Sequence, residues 1–268
     1  MKHGSEYASK VKRFYRQLLK QFGKPEIPAP TDPIDQLILG ILSSCTTDQK
    51  AAAVYRRLRE QTVDLNELRV TPAMELAEMI GTGVPLAREK AQRIVDALNA
   101  VRRRQDKIDL SFLQQRSRRE AREYLESLEG VDKTTAASVV LFSLGGHAIP
   151  VDDLILYVLR QEELVDPAAD LPTVQSFLER SILAEDAAAF SILLSRYAAQ
   201  KAGRIPIERL RQLLSPPPPP PAPPPVTKPP PGPAGKDGKQ NSKCQKPGKP
   251  AKAAKPSAVP GAARTKKK

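Results

Sequence analysis

Apolar residues recur at Tyr7, Val11, Phe14, Leu18 and Phe22. That spacing lays one stripe along a helix over residues 5 to 22, with lysines and arginines on the opposite face. After the turn PEIPAP, Asp32-Pro33 has the form of an N-cap followed by a first-turn proline. It opens IDQLILGILSS, a segment so apolar that it must be buried on most sides. Thr71-Pro72 and Asp170-Leu171-Pro172 repeat the device. The spacing predicts further helices over residues 48–61, 72–80, 86–104, 117–128, 134–144, 153–162, 173–183, 185–202 and 206–214. Alternation with period two, bounded by turn residues, is nowhere convincing. The expected fold class is all-α, with roughly ten helices.

The helical pattern stops near Leu214 of the 268 residues. From SPPPPPPAPPPVTKPPPGP onward the chain suits only polyproline II or disorder, and it ends as a Lys/Pro/Ala/Gly tail. Residues 215 to 268 hold 12 Lys+Arg and one acid, Asp237, whereas the rest holds 31 bases and 29 acids. Nearly all of the net charge of +13 therefore lies in the tail. Two readings stand for it: a solubilising tail, or an electrostatic tether to polyphosphate whose affinity falls steeply with salt. A nucleic-acid-binding core would favour the tether.

Roughly 210 residues remain to build a core, enough for one domain or two packed lobes. Two cysteines, Cys45 and Cys244, cannot make a disulfide framework or a CxxC metal site. No run is apolar enough for a membrane span, and the N-terminus lacks a hydrophobic signal region. The expectation is a cytoplasmic, reduced, metal-free protein.

The stretch LEGVDKTTA, residues 128–136, ends one helix in a Gly turn and starts another at once. It reads in two ways. In one, it is an αα-hairpin whose Asp132 caps the second helix. In the other, it is a phosphate clamp: Gly130 permits the turn, Lys133 adds charge, and the N–H groups from Asp132 to Thr135 meet the anion.

Past the apolar helix ASVVLFSLGG the chain reads IPVDDLILYVLR, with Asp152 preceding a new helix. Here the sequence resembles the helix-hairpin-helix (HhH-GPD) DNA glycosylases, especially the endonuclease III branch, whose hairpin has the form LPGVGxKTA and whose catalytic aspartate lies in VDTH. LEGVDKTTA and VDDL stand at the same relative spacing. LILGILSSCTTDQKAAAVYRRL is similar to the family's early buried helix and LLSxQxTD turn, GTGVPLAREKA to its IGxxxxKA segment, and LLSRYAAQKAGRIPIERL to its C-terminal region. The resemblance covers about residues 30 to 211.

It implies a two-lobed fold: an N-terminal helix over 1–33 packing with the C-terminal lobe, a six-helix lobe over 34–149 carrying the hairpin, a second lobe over 150–214, and the disordered basic tail over 215–268. It also implies double-stranded DNA as partner, a flipped nucleotide between the lobes, and a monomer associated with the nucleoid. Asp152 falls at the family's catalytic aspartate and Thr134 at its lysine. Gly130, Val131, Asp132, Lys133, Thr135, Cys45, Thr46 and Lys90 fall at positions expected to bind DNA.

The departures are specific. Thr134 cannot form the imine that strand cleavage requires, and Lys133 is one residue early, about 100° round a helix. Asp132 replaces the second hairpin glycine and puts a carboxylate where phosphate approaches, unless it turns into an N-cap. Cys45 replaces the glutamine that fills the gap left by the flipped base; it is otherwise a small core residue. Ala199, Ile205 and Arg211 occupy the region of the iron–sulfur cysteines, so no cofactor is expected, with Tyr197, Ile207 and Leu210 packing that end instead. His147 reads as a surface loop residue.

Asp152 is compatible with glycosidic cleavage without a lysine, and also with a plain helix N-cap; the two roles do not exclude each other. The expected activity is that of a monofunctional DNA N-glycosylase in base excision repair, without AP-lyase activity. The alternatives are a catalytically inactive DNA-binding descendant of that family, and a helical module whose Pro-rich segment recruits a partner.

Overall fold

The computed structural model describes residues 4 to 202. Eleven α-helices and one 3-10 turn, with no strand, make up these residues. The helix expected over 206–214, the cluster-region positions Ile205, Ile207, Leu210 and Arg211, and the basic tail lie outside them.

Helix α1 (Gly4–Phe22) buries Val11, Phe14 and Leu18, the centre of the predicted stripe, and packs on α10 (Leu171–Ser181) and α11 (Ala184–Ala202). The Phe14 and Tyr197 rings meet edge to face at 5.1 Å. Tyr197 also donates to Glu162 at 2.6 Å.

Helix α2 (Pro33–Ser43) starts as expected: Asp32 accepts the Ile34 N–H at 2.8 Å, with Pro33 at the first position. It buries seven of its eleven residues and lies against α3 (Asp48–Gln61), α6 (Ala87–Gln105) and α8 (Lys133–Phe142). Gly40 sets the close approach to α8, because a Cβ there would stand 3.2 Å from the Thr135 methyl.

Two local expectations need correction. Helix α4 (Leu65–Val70) was not expected; Asp64 caps it, but a six-residue helix with one buried side chain, Leu68, leaves no periodicity to read. Helix α5 (Ala73–Ile80) takes Pro72 itself as N-cap without a side-chain bond, since the Thr71 hydroxyl donates back to the Glu67 carbonyl. Helices α7 (Arg118–Glu126) and α8 form the hairpin, and α9 (Asp153–Gln161) follows, packed on α11.

Candidate active site

The hairpin turn is built against α6. Gly130 adopts φ +79°, and its missing side chain leaves room for the α6 backbone: a Cβ would lie 2.5 Å from the Arg93 carbonyl oxygen. Arg93 ties the turn together. Its Nε donates to the Gly130 carbonyl at 3.0 Å, and its terminal nitrogen donates to the Thr135 hydroxyl at 3.0 Å and pairs with Asp132 at 2.8 Å. Asp132 has turned into the N-cap of α8, accepting the Thr135 N–H at 2.8 Å.

The hairpin thus resolves the conflict of a carboxylate near phosphate by rotation, but it removes Thr135 from the expected contact set. Thr135 is buried, and both its amide and its hydroxyl have internal partners. Lys133 is exposed and Val131 half-buried at the turn. At the other turn, Thr46 is half-buried and donates its N–H to the Ser43 carbonyl at 3.0 Å.

Asp152 caps α9, accepting the Ile155 N–H through one oxygen at 2.7 Å. Its other oxygen accepts the Cys45 N–H at 2.8 Å, bridging to the turn after α2. Cys45 has φ +56°, which aims that N–H, and its thiol is buried. The Thr134 hydroxyl donates to the Val151 carbonyl at 2.6 Å and so fixes the peptide just before Asp152.

Lys90 corrects another expectation. It is 2% exposed, and its amine donates to the carbonyls of Leu42 and Ser44 at 2.8 and 2.6 Å, so it presents nothing to a DNA surface.

A cavity of about 390 Å³ opens here, with walls from α2, α3, α8, α9 and α11. Thr134 and Asp152 share it with Asp48, Ser138, Phe142 and Arg196. The outer edge of Asp152 faces the cavity while protein surrounds the remainder, and burial pushes its carboxyl above the ordinary range. The Ile155 and Cys45 N–H groups and the Lys90 charge oppose that shift. Asp48 is exposed at its outer edge but crowded by protein, and burial raises it too, against the Ser195 hydroxyl and Arg196. The Cys45 thiol is pushed up to about 12, chiefly by burial, which rules it out as a thiolate near neutral pH.

Sequence reasoning missed Asp48 and Arg93. Asp48 stands within the quoted CTTD turn and was open to notice. Arg93 carries no local signal. His147 lies exposed in its loop, as expected.

The residues do not fit an iron–sulfur cluster: Ala199 offers no donor, and the whole chain holds two cysteines where four thiolates are required. Among the described residues no helix is long and apolar enough to cross a membrane.

Among the described residues the all-α fold places Thr134 of the hairpin and Asp152 in the wall of one cavity, and solved structures share this fold. A trapped endonuclease III–DNA covalent intermediate superposes with TM-score 0.56 at 24% identity, over 71% of this chain and 86% of the other. A thermostable thymine-DNA glycosylase gives 0.52 at 21%, over 71% and 87%. The H. pylori 3-methyladenine DNA glycosylase bound to 1,N6-ethenoadenine gives 0.54 at 19%, over 74% and 98%. The chain has the helix-hairpin-helix glycosylase fold. No protein-family model matches the sequence, and no curated protein matches it.

Proposed function

We propose that the protein is a DNA N-glycosylase that hydrolyses the glycosidic bond of a base flipped into the cavity, without AP-lyase activity. The observation that carries this is the Asp152 carboxylate, held by two backbone N–H groups in the wall of a cavity of about 390 Å³. Such a volume suits one extruded nucleobase with part of its sugar. The two N–H groups use two of the carboxylate's roughly four acceptor sites, which leaves lone pairs for a water or a developing charge.

In the reaction, the C1′–N bond breaks and its electron pair leaves with the base, which takes up a proton. Water adds at C1′, losing a proton to Asp152 or to solvent. The fixed carboxylate stabilises the oxocarbenium-like transition state. No lysine lines the cavity among the described residues, and the Thr134 hydroxyl is committed to the Val151 carbonyl. An imine, and with it strand cleavage, has no amine to start from. The hairpin holds the duplex through Lys133 and the Gly130 turn, and the tail adds salt-dependent attraction to phosphate.

The second reading, a DNA-binding descendant without catalysis, is favoured by one feature: both Asp152 oxygens already serve as structural acceptors. The two part on one experiment. End-labelled duplexes, each with one damaged or mismatched base, are incubated with wild type and Asp152→Asn, then split with and without hot alkali. The proposal expects alkali-dependent cleavage of at least one duplex, lost in Asp152→Asn while DNA affinity persists. Cleavage without alkali would overturn the absence of lyase activity. Binding with no base release on any duplex would establish the second reading.

A further inference from the structure

Lys90 is the only charged side chain among the buried ones of the described residues, and the proposed reaction does not use it directly. A buried ammonium loses its hydration and is normally compensated by a carboxylate in contact. Lys90 forms no ion pair among the described residues; its two partners are the carbonyls of Leu42 and Ser44, at the C-terminal end of α2. A glycine or a surface lysine would end a helix without burying a charge. What the buried cation accomplishes lies one peptide further on. Cys45 follows Ser44, takes the left-handed conformation at φ +56°, and donates its N–H to Asp152 at 2.8 Å.

The electrostatics make the same point. The carbonyl end of a helix is its negative end, hostile to a carboxylate brought against it. Asp152 reaches across to that end of α2 to accept the Cys45 N–H. With the Leu42 and Ser44 carbonyls taken by an ammonium, the turn offers the carboxylate an N–H donor backed by a positive charge.

We infer that Lys90 is the positioning residue of the cavity: by holding the Leu42 and Ser44 carbonyls it fixes the turn that aims the Cys45 N–H at Asp152, and it supplies the buried cation behind that carboxylate. The inference rests on the proposed glycosylase reading for its kinetic consequence alone. The geometric part concerns Asp152 in the free protein.

The titratable groups around the pair are few. Cys45, Asp152, Arg93 on the same helix and Lys50 from α3 act on Lys90, which burial brings down to about 8. Asp48 and Asp153 are close enough for the Asp152 charge to act on each. Removing the Lys90 charge takes away the cation that opposes burial at Asp152, so its carboxyl must titrate at higher pH.

The test uses the full chain with Lys90→Met, which keeps the stem and removes the amine, and Lys90→Arg, which keeps a cation and donors. Asp152 ionisation is followed by carbon-detected NMR of its carboxyl and by the Cys45 amide proton. In Lys90→Met the Asp152 midpoint rises and the Cys45 amide resonance moves upfield as its bond weakens. Once that midpoint passes the assay pH, base release falls by up to about tenfold for each further pH unit and recovers toward alkaline pH. DNA affinity stays within about threefold of wild type, because Lys90 touches no surface. Lys90→Arg restores part of the midpoint shift.

A folded Lys90→Met with an unchanged Asp152 midpoint and Cys45 amide would overturn the inference and leave Lys90 a helix cap. Should Lys90→Met fail to fold, the wild-type protein still decides: the Cys45 amide must respond as Lys90 titrates near pH 8, and a silent amide overturns the inference. If wild type releases no base from any duplex, the glycosylase reading fails while the NMR result stands for or against the positioning role.

Discussion

Replacing Gly130 with alanine tests whether the hairpin turn is held by its approach to α6. Two costs add there. Gly130 has φ +79°, a region that costs an L-residue about 1–2 kcal/mol. The new Cβ would also stand 2.5 Å from the Arg93 carbonyl oxygen and 3.0 Å from the Ala97 nitrogen, both backbone atoms of α6 that cannot rotate away. Forcing the helix and turn apart costs about 1–3 kcal/mol more, as overpacking does elsewhere. The sum is about 2–5 kcal/mol, less a few tenths for the lower entropy of the unfolded chain. Gly145 is the internal control: its φ is +61°, but nothing lies within 4 Å of its absent Cβ. Gly145→Ala therefore carries only the conformational cost of about 1 kcal/mol after the entropic offset. For a domain of this size each kcal/mol moves Tm by roughly 2–4 °C. Gly130→Ala is expected to lower Tm by about 5–15 °C and Gly145→Ala by less than about 4 °C, read by calorimetry or circular dichroism. Equal shifts would refute the close approach and leave the turn as an ordinary left-handed position.

Thr134→Lys places an amine on a residue that lines the cavity, at the loss of one hydrogen bond to Val151 worth about 1 kcal/mol. Borohydride should then trap a covalent complex with abasic-site DNA that wild type does not give; no trapping by a folded variant would mean that position 134 does not face the sugar. Stability should rise with pH from about 7.5 to 9. Folded Lys90 loses its proton near 8 and the free side chain near 10.5, so in between the unfolded chain binds the extra proton. Above pH 9 the Cys45 thiol acts in the opposite sense, because it ionises at 9.0 when free and only near 12 when folded. Urea unfolding at a series of pH values should show a maximum between about 9 and 10, and a flat or falling profile from 7.5 to 9 would contradict a buried lysine.

What was legible in the sequence was local. The Asp32-Pro33 and Asp170 caps, the α1 stripe and the hairpin turn each depend on residues within a few positions, and each appears where the pattern put it. Lys90 was not legible. In GTGVPLAREKA it looks like any helix lysine, and its partners Leu42 and Ser44 lie 48 and 46 residues away. Thr135 was misread for the same reason: its hydroxyl is claimed by Arg93, 42 positions earlier. Helix α4 failed differently, being too short to show a period.

Asp132 and Asp152 show where sequence reading ends at the site itself. Each precedes a helix, takes an extended backbone, and accepts the N–H three residues on, at 2.8 and 2.7 Å. By local sequence they are the same device. The second oxygen separates them. That of Asp132 meets the Arg93 guanidinium, so its charge is neutralised where the side chain is exposed. That of Asp152 meets a backbone N–H and no cation in contact, and it borders a cavity with apolar walls from Leu39, Phe142 and Ile192. A carboxylate paired with arginine has its field cancelled and can only hold structure. One fixed by uncharged donors in a low-dielectric cleft keeps its field for whatever positive charge develops nearby, which is the requirement of an oxocarbenium-like transition state. Capping and catalysis are therefore compatible in Asp152, because the bonds that cap the helix also fix the direction in which the charge points.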